Sequence, residues 1–518
     1  MSGVPTYILN NSDERYDKIT NQKEFKNSMQ IVDSLIAAST NTDAIKKNAT
    51  KAVDSVIDNY KMFLYATYKP YVNVAYEYIK IVQAGGSHKF SASNKISRHF
   101  NMGTCSGHFI SDMVFHVKIG AIGSTTATTT QYRYCAFPGL RLIKKATMGS
   151  DLQHNFYEYD SDYAVRYMKH RVPAEHLNAY MRSVGQQDVK HCTFEANTGY
   201  TGYSTYSNGP QTWKSYQPEL EMWIPSCFYS QDDPAKAIFN FASTNKQFTV
   251  TTDIAPFTWL VSKRTLVVDP VAGDHWSYSD ITAAQFTMSM EIYVNNIWTD
   301  KDLYAVLVES NPITLVRTVN TNSIVTVSNP TDDIKLDNLK FAGEYLYVGF
   351  RSKDNADDYD LWHLMGMDKS PTDPEDQFGV LTTRYIGGMW TPINTIPSPS
   401  PFSGLSPMVD RVTITVKAGN LYNDLAIAFY GTYLPMRYFN QTDIHASEDA
   451  SSLVIPFSLL PGKKEPSGYY PLSSNVDLVL KYSSSDIDAS TQAELLIQMI
   501  SLNFLVIDKN SIQLLFHV

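Results

Sequence analysis

From about residue 70 onward, apolar and polar side chains alternate with a period of two. In FTMSMEIYV, Phe286, Met288, Met290, Ile292 and Val294 share one face, and Thr287, Ser289 and Glu291 share the other. RVTITVK turns Val412, Ile414 and Val416 inward and Arg411, Thr413, Thr415 and Lys417 outward. The same alternation recurs in DMVFHVKI (112–119), NVDLVLKY (475–482) and SIQLLFHV (511–518). Side chains on a strand point to opposite faces in turn, so such segments predict sheets with one buried face. Separated by Gly, Pro, Asn and Asp turns, they predict antiparallel sandwiches rather than a parallel α/β sheet.

The first 62 residues follow a different period. Phe25, Met29, Val32 and Ile36 recur at helical spacing, as do Ile45, Ala49, Val53, Val56 and Tyr60, with Thr42-Asp43 as a capping start for the second segment. Two amphipathic helices, each needing a surface to lie on, predict an N-terminal arm over 1–62. No strand–helix alternation is read after residue 70, so the predicted class is all-β with a helical arm. A boundary is expected within SKRTLVVDPVAGDHWSYSD, giving sandwiches over 63–270 and 271–518. Long connections are expected at AIGSTTATTTQ (121–131) and from Lys353 to Pro407, the latter too Pro-rich for core strands.

Composition narrows the role. A chain of 518 residues with 43% hydrophobic side chains can build two large β cores. Charged residues make up only 18%, and Tyr is abundant at 34 residues; its apolar ring and polar tip suit surfaces buried against a partner yet hydrated at the edge. A net charge of -9 with scattered basic pairs argues against direct nucleic-acid binding, which needs clustered cations. MSGVPTYILNNSDERYDK carries neither a basic n-region nor an apolar stretch, which predicts no secretory signal. ELLIQMISLNFLVI is interrupted by Gln498, Ser501 and Asn503, so no membrane span is expected. Cys105, Cys135, Cys192 and Cys227 have no metal or disulfide-framework spacing and are expected to be buried thiols.

Candidate chemistry is sparse. Glu219 and Glu221 lie two apart, on one strand face, a geometry that a glycosidase pair and any polar strand face both satisfy. DNADDYD (354–360) lacks the turn glycine and distal Glu of a calcium loop and reads as a solvated loop. His108 and His116 share a face but are too far apart to share a metal. No nucleophile elbow, phosphate loop or dinucleotide fingerprint is present. The expectation is no catalytic, cofactor-binding or metal residue and no enzyme.

Several segments resemble the major capsid proteins of nucleocytoplasmic large DNA viruses, most closely the African swine fever virus and asfarvirus-like kind. They are YKPYVNVAYEYIKI (68–81), SGHFISDMVFHVKIG (106–120), YCAFPGLRL (134–142), SVGQQ (183–187) and SNGPQTWKSYQPELEMWIP (207–225) in the first half. GEYLYVGF (343–350), the pair Trp362-His363, EPSGYYPLSS (465–474) and AELLIQMISLNFLVIDKNSIQLLF (493–516) follow in order in the second. The chain is shorter than the asfarvirus pattern, chiefly in the loops of the first half. The resemblance implies a double jelly roll, two eight-stranded sandwiches per chain. It also implies homotrimeric, pseudo-hexagonal capsomers in the outer icosahedral shell of a double-stranded DNA virion, assembled in the host cytoplasm. Neighbouring capsomers and minor capsid and penton proteins would be the partners, with inner-membrane-associated proteins reached indirectly and no cofactor. The structural residues singled out are the arm and the turn at 466–468, where Gly468 can take a backbone shape other residues resist. The alternatives are a carbohydrate-binding or carbohydrate-processing β-sandwich protein and a minor double-jelly-roll capsid or scaffold component.

Overall fold

The computed structural model describes most of residues 74–518; the longest stretches outside the described residues are 187–212, 367–382, 393–406 and 440–450. The predicted arm at 1–62 also lies outside them. Residues 74–518 form one compact unit.

Sixteen strands carry the fold. The first eight are β1 (Ala75–Val82), β2 (Ile96–Asn101), β3 (Phe109–Ile119), β4 (Ile143–Ser150), β5 (Tyr157–Asp160), β6 (Leu220–Pro225), β7 (Phe248–Ile254) and β8 (Thr287–Trp298). They pair antiparallel in the orders β1-β8-β3-β6 and β2-β7-β4-β5. The second eight are β9 (Ile313–Thr321), β10 (Thr331–Lys335), β11 (Phe341–Ser352), β12 (Arg411–Val416), β13 (Gly419–Ala426), β14 (Ser452–Pro456), β15 (Leu478–Ser483) and β16 (Ala493–Asp508). Their orders are β9-β16-β11-β14 and β10-β15-β12-β13, the first pattern with eight added to every strand number. Two four-stranded sheets joined by such crossovers make a jelly roll. The chain is a double jelly roll.

The alternation read from the sequence points the cores. In β8, Met288, Met290, Ile292 and Val294 are buried and meet Phe115, Val117 and Ile119 of β3 and Met222 and Ile224 of β6. In the second sandwich Val412, Ile414 and Val416 pack with Leu346, Val348, Phe350, Leu478 and Leu480. Burying each such Val, Leu, Ile or Met side chain contributes roughly 1.5–3 kcal/mol, and a one-residue slip would turn the whole set to solvent, so the register is fixed by the core.

The structure departs from expectation in several places. Thr287–Trp298, expected in the second sandwich, lies between β1 and β3 of the first, so the first sandwich runs to Trp298 rather than to residue 270. Helices do follow residue 70: α1 (Ser161–Arg171) and α2 (Ala174–Ser183) lie between β5 and β6. A π-helical turn (Phe429–Tyr433) running into α3 (Leu434–Phe439) lies between β13 and β14, the same place in the second sandwich. Third, β16 is not one-sided: Leu495, Ile497 and Met499 enter its own core, while Leu496, Gln498 and Ile500 are buried on the other face.

At one end of the first sandwich the connections pair with each other. Thr130–Tyr134, Val261–Val267 and His275–Ser279 form a three-stranded sheet, and Ile122–Gly123 pairs with Tyr216–Gln217. The stretch 121–131 expected as a loop is therefore partly strand. In the Pro-rich stretch, Lys353–Asp357 is helical and Thr383–Ile386 pairs with Met389–Pro392.

Candidate functional site

Two surfaces concentrate buried charge and aromatic side chains. One is the seam between the sandwiches, where α1 lies on the outer face of β9-β16-β11-β14. The helix starts at Asp160, whose carboxylate accepts from Tyr163 N at 2.7 Å. Gln498 of β16 donates to the same oxygen at 2.6 Å, so the cap is also a bond across the seam. Burial pushes the Asp160 carboxyl up to about 6, with Asp162 adding repulsion. Further along α1, Arg166 is fully buried, donates to Leu496 O at 3.3 Å and lies against the Tyr347 ring. His170 stacks on Tyr347 with ring centroids 5.2 Å apart. Burial pushes His170 down to about 3, helped by Lys169 and Arg166.

Arg351 of β11 ties this seam together. It bonds Asp162 of α1 at 2.9 Å, Glu494 of β16 at 2.8 Å and the Trp362 carbonyl at 2.8 Å. The Trp362-His363 pair noticed in the sequence belongs here. Trp362 Nε1 donates to Ala136 O at 2.8 Å, Tyr359 donates to Thr258 O at 2.6 Å, and Lys169 reaches His363 O at 2.8 Å. Buried aromatic and aliphatic residues of both sandwiches, among them Tyr163, Met168, Tyr345, Tyr347 and Ile500, form one continuous cluster.

The other surface is the outer face of the equivalent sheet in the first sandwich, β1-β8-β3-β6. No helix of the described residues covers it. Tyr76 and Tyr78 are 71% and 53% exposed, and Trp223 is 40% exposed on the edge strand β6. Trp223 covers His116 at a centroid distance of 4.1 Å, with Tyr293 beside both rings. His116 bonds Glu221 at 2.6 Å and Glu291 at 3.3 Å, and Lys80 reaches Glu291 at 2.7 Å. The His116 hydrogen bond holds Glu221 below the usual carboxylate range, with Lys118 assisting. Burial would raise Glu291, but hydrogen bonds from Lys80 and His116 outweigh it and hold the group below its usual range. Tyr78 donates to Asp112 at 3.1 Å.

The other residues singled out in the sequence do not converge on chemistry. Glu221 faces His116, whereas Glu219 sits exposed before the strand and shares no partner with it. Lys353–Asp357 is helical, with Asn355 buried and donating to Gly366 O. His108 stacks on Tyr304 at 4.2 Å and accepts from Thr299 N, away from His116. Among the described residues no group of three metal-ligating side chains is brought together. Cys105, Cys135 and Cys227 are buried thiols, and burial pushes Cys105 up to about 11; Cys192 lies outside the described residues. Gly468 has φ 126°, in the region that favours glycine, and Ser467 accepts from Leu460 N at 2.6 Å beside it. Among the described residues no helix is long and apolar enough to cross a membrane. A further feature missed in the sequence is Trp213, whose ring lies against the guanidinium groups of Arg133 and Arg264 at 4.9 and 4.3 Å in the paired connections.

No protein-family model matches the chain. A major capsid protein of African swine fever virus is 22% identical to it over 360 residues, covering 64% of this chain and 55% of the relative. The protein described as hexon protein p72 of the same virus matches with the same identity and coverage. The chain thus spans about half the length of the curated relatives it matches. Among solved structures, the Faustovirus major capsid protein superposes with a TM-score of 0.65 at 19% identity, covering 96% of this chain and 100% of that one. PBCV-1 VP54, fitted into a reconstruction of the virophage Sputnik, gives 0.62 at 14% identity, covering 88% and 100%. The chain is homologous to the African swine fever virus major capsid protein, and it shares the fold of the other two.

Proposed function

We propose that this chain is the major capsid protein of a large double-stranded DNA virus and works by assembly, with no catalysis. The observation that carries the reading is the strand-for-strand repeat of one jelly roll in the other, on a chain homologous to a capsid protein. Two like sandwiches side by side give one chain two equivalent building blocks. Three chains around a three-fold axis then present six, a pseudo-hexagon that tiles a flat facet. Head-to-tail contacts close into such a ring when the rotation between copies closes. The capsomers would form the outer shell of the virion, meeting neighbouring capsomers and minor capsid and penton proteins, with assembly in the host cytoplasm. Residues 1–62 would serve as an arm docking on the base of the capsomer or on a neighbour.

Light scattering coupled to size exclusion tests the reading. The expected particle mass is three times the 58.4 kDa of the chain. A folded protein that stays monomeric at high concentration overturns it.

A further inference from the structure

Three connections of the first sandwich leave it at the same end: β3 to β4, β5 to β6 and β7 to β8. The antiparallel pairings of β3 with β6 and β8, and of β4 with β5 and β7, direct them there. β1 starts at the opposite end, because β1 and β3 both pair antiparallel with β8. The chain therefore enters the first sandwich at the end away from the three connections. With an arm at the base of the capsomer, the end that carries the connections would face out of the shell.

At this end the connections form the sheet of Thr130–Tyr134, Val261–Val267 and His275–Ser279. Its register sets Gln131, Arg264 and Tyr278 in one row, and Arg133 opposite Ser262 in the next row of the same face. No strand position on this face is Asp or Glu. Trp213, from the β5 to β6 connection, lies against the Arg133 and Arg264 guanidinium groups at 4.9 and 4.3 Å and edge-on to Tyr278 at 5.8 Å. Arg264 donates through Nε and Nη2 to Gln131 Oε1 at 2.9 and 2.6 Å, which fixes the plane of its guanidinium. Tyr278 is 66% exposed. Burial pushes Arg264 down from its ordinary value and the Arg133 charge adds to this, while the Tyr278 hydroxyl opposes both.

Two like charges against one ring repel, and an oxyanion between them turns that repulsion into attraction. A guanidinium presents paired N–H groups that match two oxygens of a carboxylate or sulfate. Trp213 and Tyr278 add what an anion alone does not need, flat apolar faces with polar groups at their edges, which suit the C–H face and hydroxyls of a sugar ring. We infer that Arg133, Arg264, Trp213 and Tyr278 form a binding site for an acidic sugar, through which the outer end of the capsomer attaches to anionic glycans of a cell surface. The arginines hold the carboxylate or sulfate, and the aromatic side chains hold the ring. A net charge of -9 gives the chain no general attraction to polyanions, so binding has to come from a local cluster of this kind. The outward placement rests on the capsomer reading; the site itself rests on the four side chains.

The test titrates the full chain, its mass first measured by light scattering, in a calorimeter at about 0.15 M salt. The probes are sialyllactose for the carboxylate, a heparin hexasaccharide for the sulfate, lactose as a neutral sugar and hexaglutamate as an acid without a sugar. At least one acidic sugar should bind, and neither lactose nor hexaglutamate; the sugar that binds identifies the anion. Arg133→Gln with Arg264→Gln should weaken binding roughly tenfold or more. Tyr278→Ala should weaken it less. Lys301→Gln with Lys335→Gln removes as much charge from exposed positions elsewhere and should leave it unchanged. If circular dichroism shows the double Gln variant unfolded, Arg133→Lys with Arg264→Lys keeps the charge but loses the fork, and the same weakening is expected. Absence of binding by both acidic sugars, undiminished binding by the arginine variants, or equal binding of lactose or hexaglutamate overturns the inference and leaves the capsomer reading standing. A monomeric wild type removes the capsomer reading, and the same titrations still decide the site.

Discussion

Arg351 gathers two carboxylates and a carbonyl from three separate segments, Asp162 on α1, Glu494 on β16 and the Trp362 backbone. The guanidinium is nearly buried and its two carboxylate partners half-buried, so removing it leaves two acids at the seam without their cation. Arg351→Met is expected to cost about 2–4 kcal/mol in chemical denaturation, below the full penalty of a wholly buried pair because both acids keep some solvent. Arg351→Lys should recover only part of that, because one ammonium cannot present the planar fork that reaches all three acceptors; full recovery would mean the seam needs only a positive charge. His170 tests a different quantity. Neither of its ring nitrogens has a hydrogen-bond partner among the described residues, and its pKa is pushed down to about 3, below the ordinary 6.5. For a base lowered in the folded state, stability is intact above the unfolded pKa and falls as pH drops from 6.5 towards 3. The loss is about 1.4 kcal/mol per pH unit. His170→Phe keeps a ring on Tyr347 without the titration. Its stability relative to wild type, measured at matched pH, should rise steadily between pH 6.5 and 4 and stay flat above 7. Asp160 works in the opposite sense in wild type, since its raised pKa favours the folded state in acid and that advantage is lost as pH rises through about 6. Comparing variants at the same pH subtracts it.

At the scale of elements, α1 is held by a residue that does two jobs. Asp160 caps the helix and accepts from Gln498 across the seam. Asp160→Ala removes the cap, typically about 1 kcal/mol, and leaves a buried amide donor without its acceptor, about 1 kcal/mol or more. A loss near 2 kcal/mol in urea titration is expected, largely restored in Asp160→Asn; equal losses in both would mean the charge, not the acceptor, matters. This helix also marks where the sequence ceases to be readable. Strands whose outer face meets solvent announce themselves, as β8 and β12 do through alternating Met288, Met290, Ile292 and Val412, Ile414, Val416. β16 does not, because its second face is covered by another sandwich, and Leu496 and Ile500 are apolar where solvent would demand polar residues. α1 had a legible start in Asp160-Ser161-Asp162 and a legible end before Pro173. Its buried stripe, however, includes Arg166 and His170, whose burial depends on a sheet some 180 residues away in sequence. Local apolar periodicity cannot report such a partner. The open sheet was hidden for a related reason: His116 reads as an outward polar position, and only the fold shows Trp223 lying over it.

On the scale of the whole molecule, the misplaced domain boundary and the hidden seam have one cause. A boundary is legible when few contacts cross it and the crossing segment is polar. Here the first sandwich's last strand, Thr287–Trp298, lies beyond the polar stretch near 270, and the two sandwiches share a single cluster of buried side chains. Tyr345 and Tyr347 are nearly fully buried, packed on each other and on Phe439 of α3, with His170 of α1 stacked on Tyr347. A second sandwich standing alone would lose the α1 side of this cover and uncover Gln498, which bonds Asp160 across the seam. Its stability is therefore bound to that of the first, as in a permanent interface and unlike the looser contact between independent domains. Differential scanning calorimetry of an assembly-defective, monomeric variant should show one transition, with calorimetric and van't Hoff enthalpies equal within error. Two resolved transitions would show that each jelly roll folds by itself, and that the ion pairs and stacked rings of the seam only align two finished bodies. In that case Arg351→Met should shift neither transition by the full cost expected above. The two measurements must therefore agree, one transition with a large Arg351 effect or two with a small one.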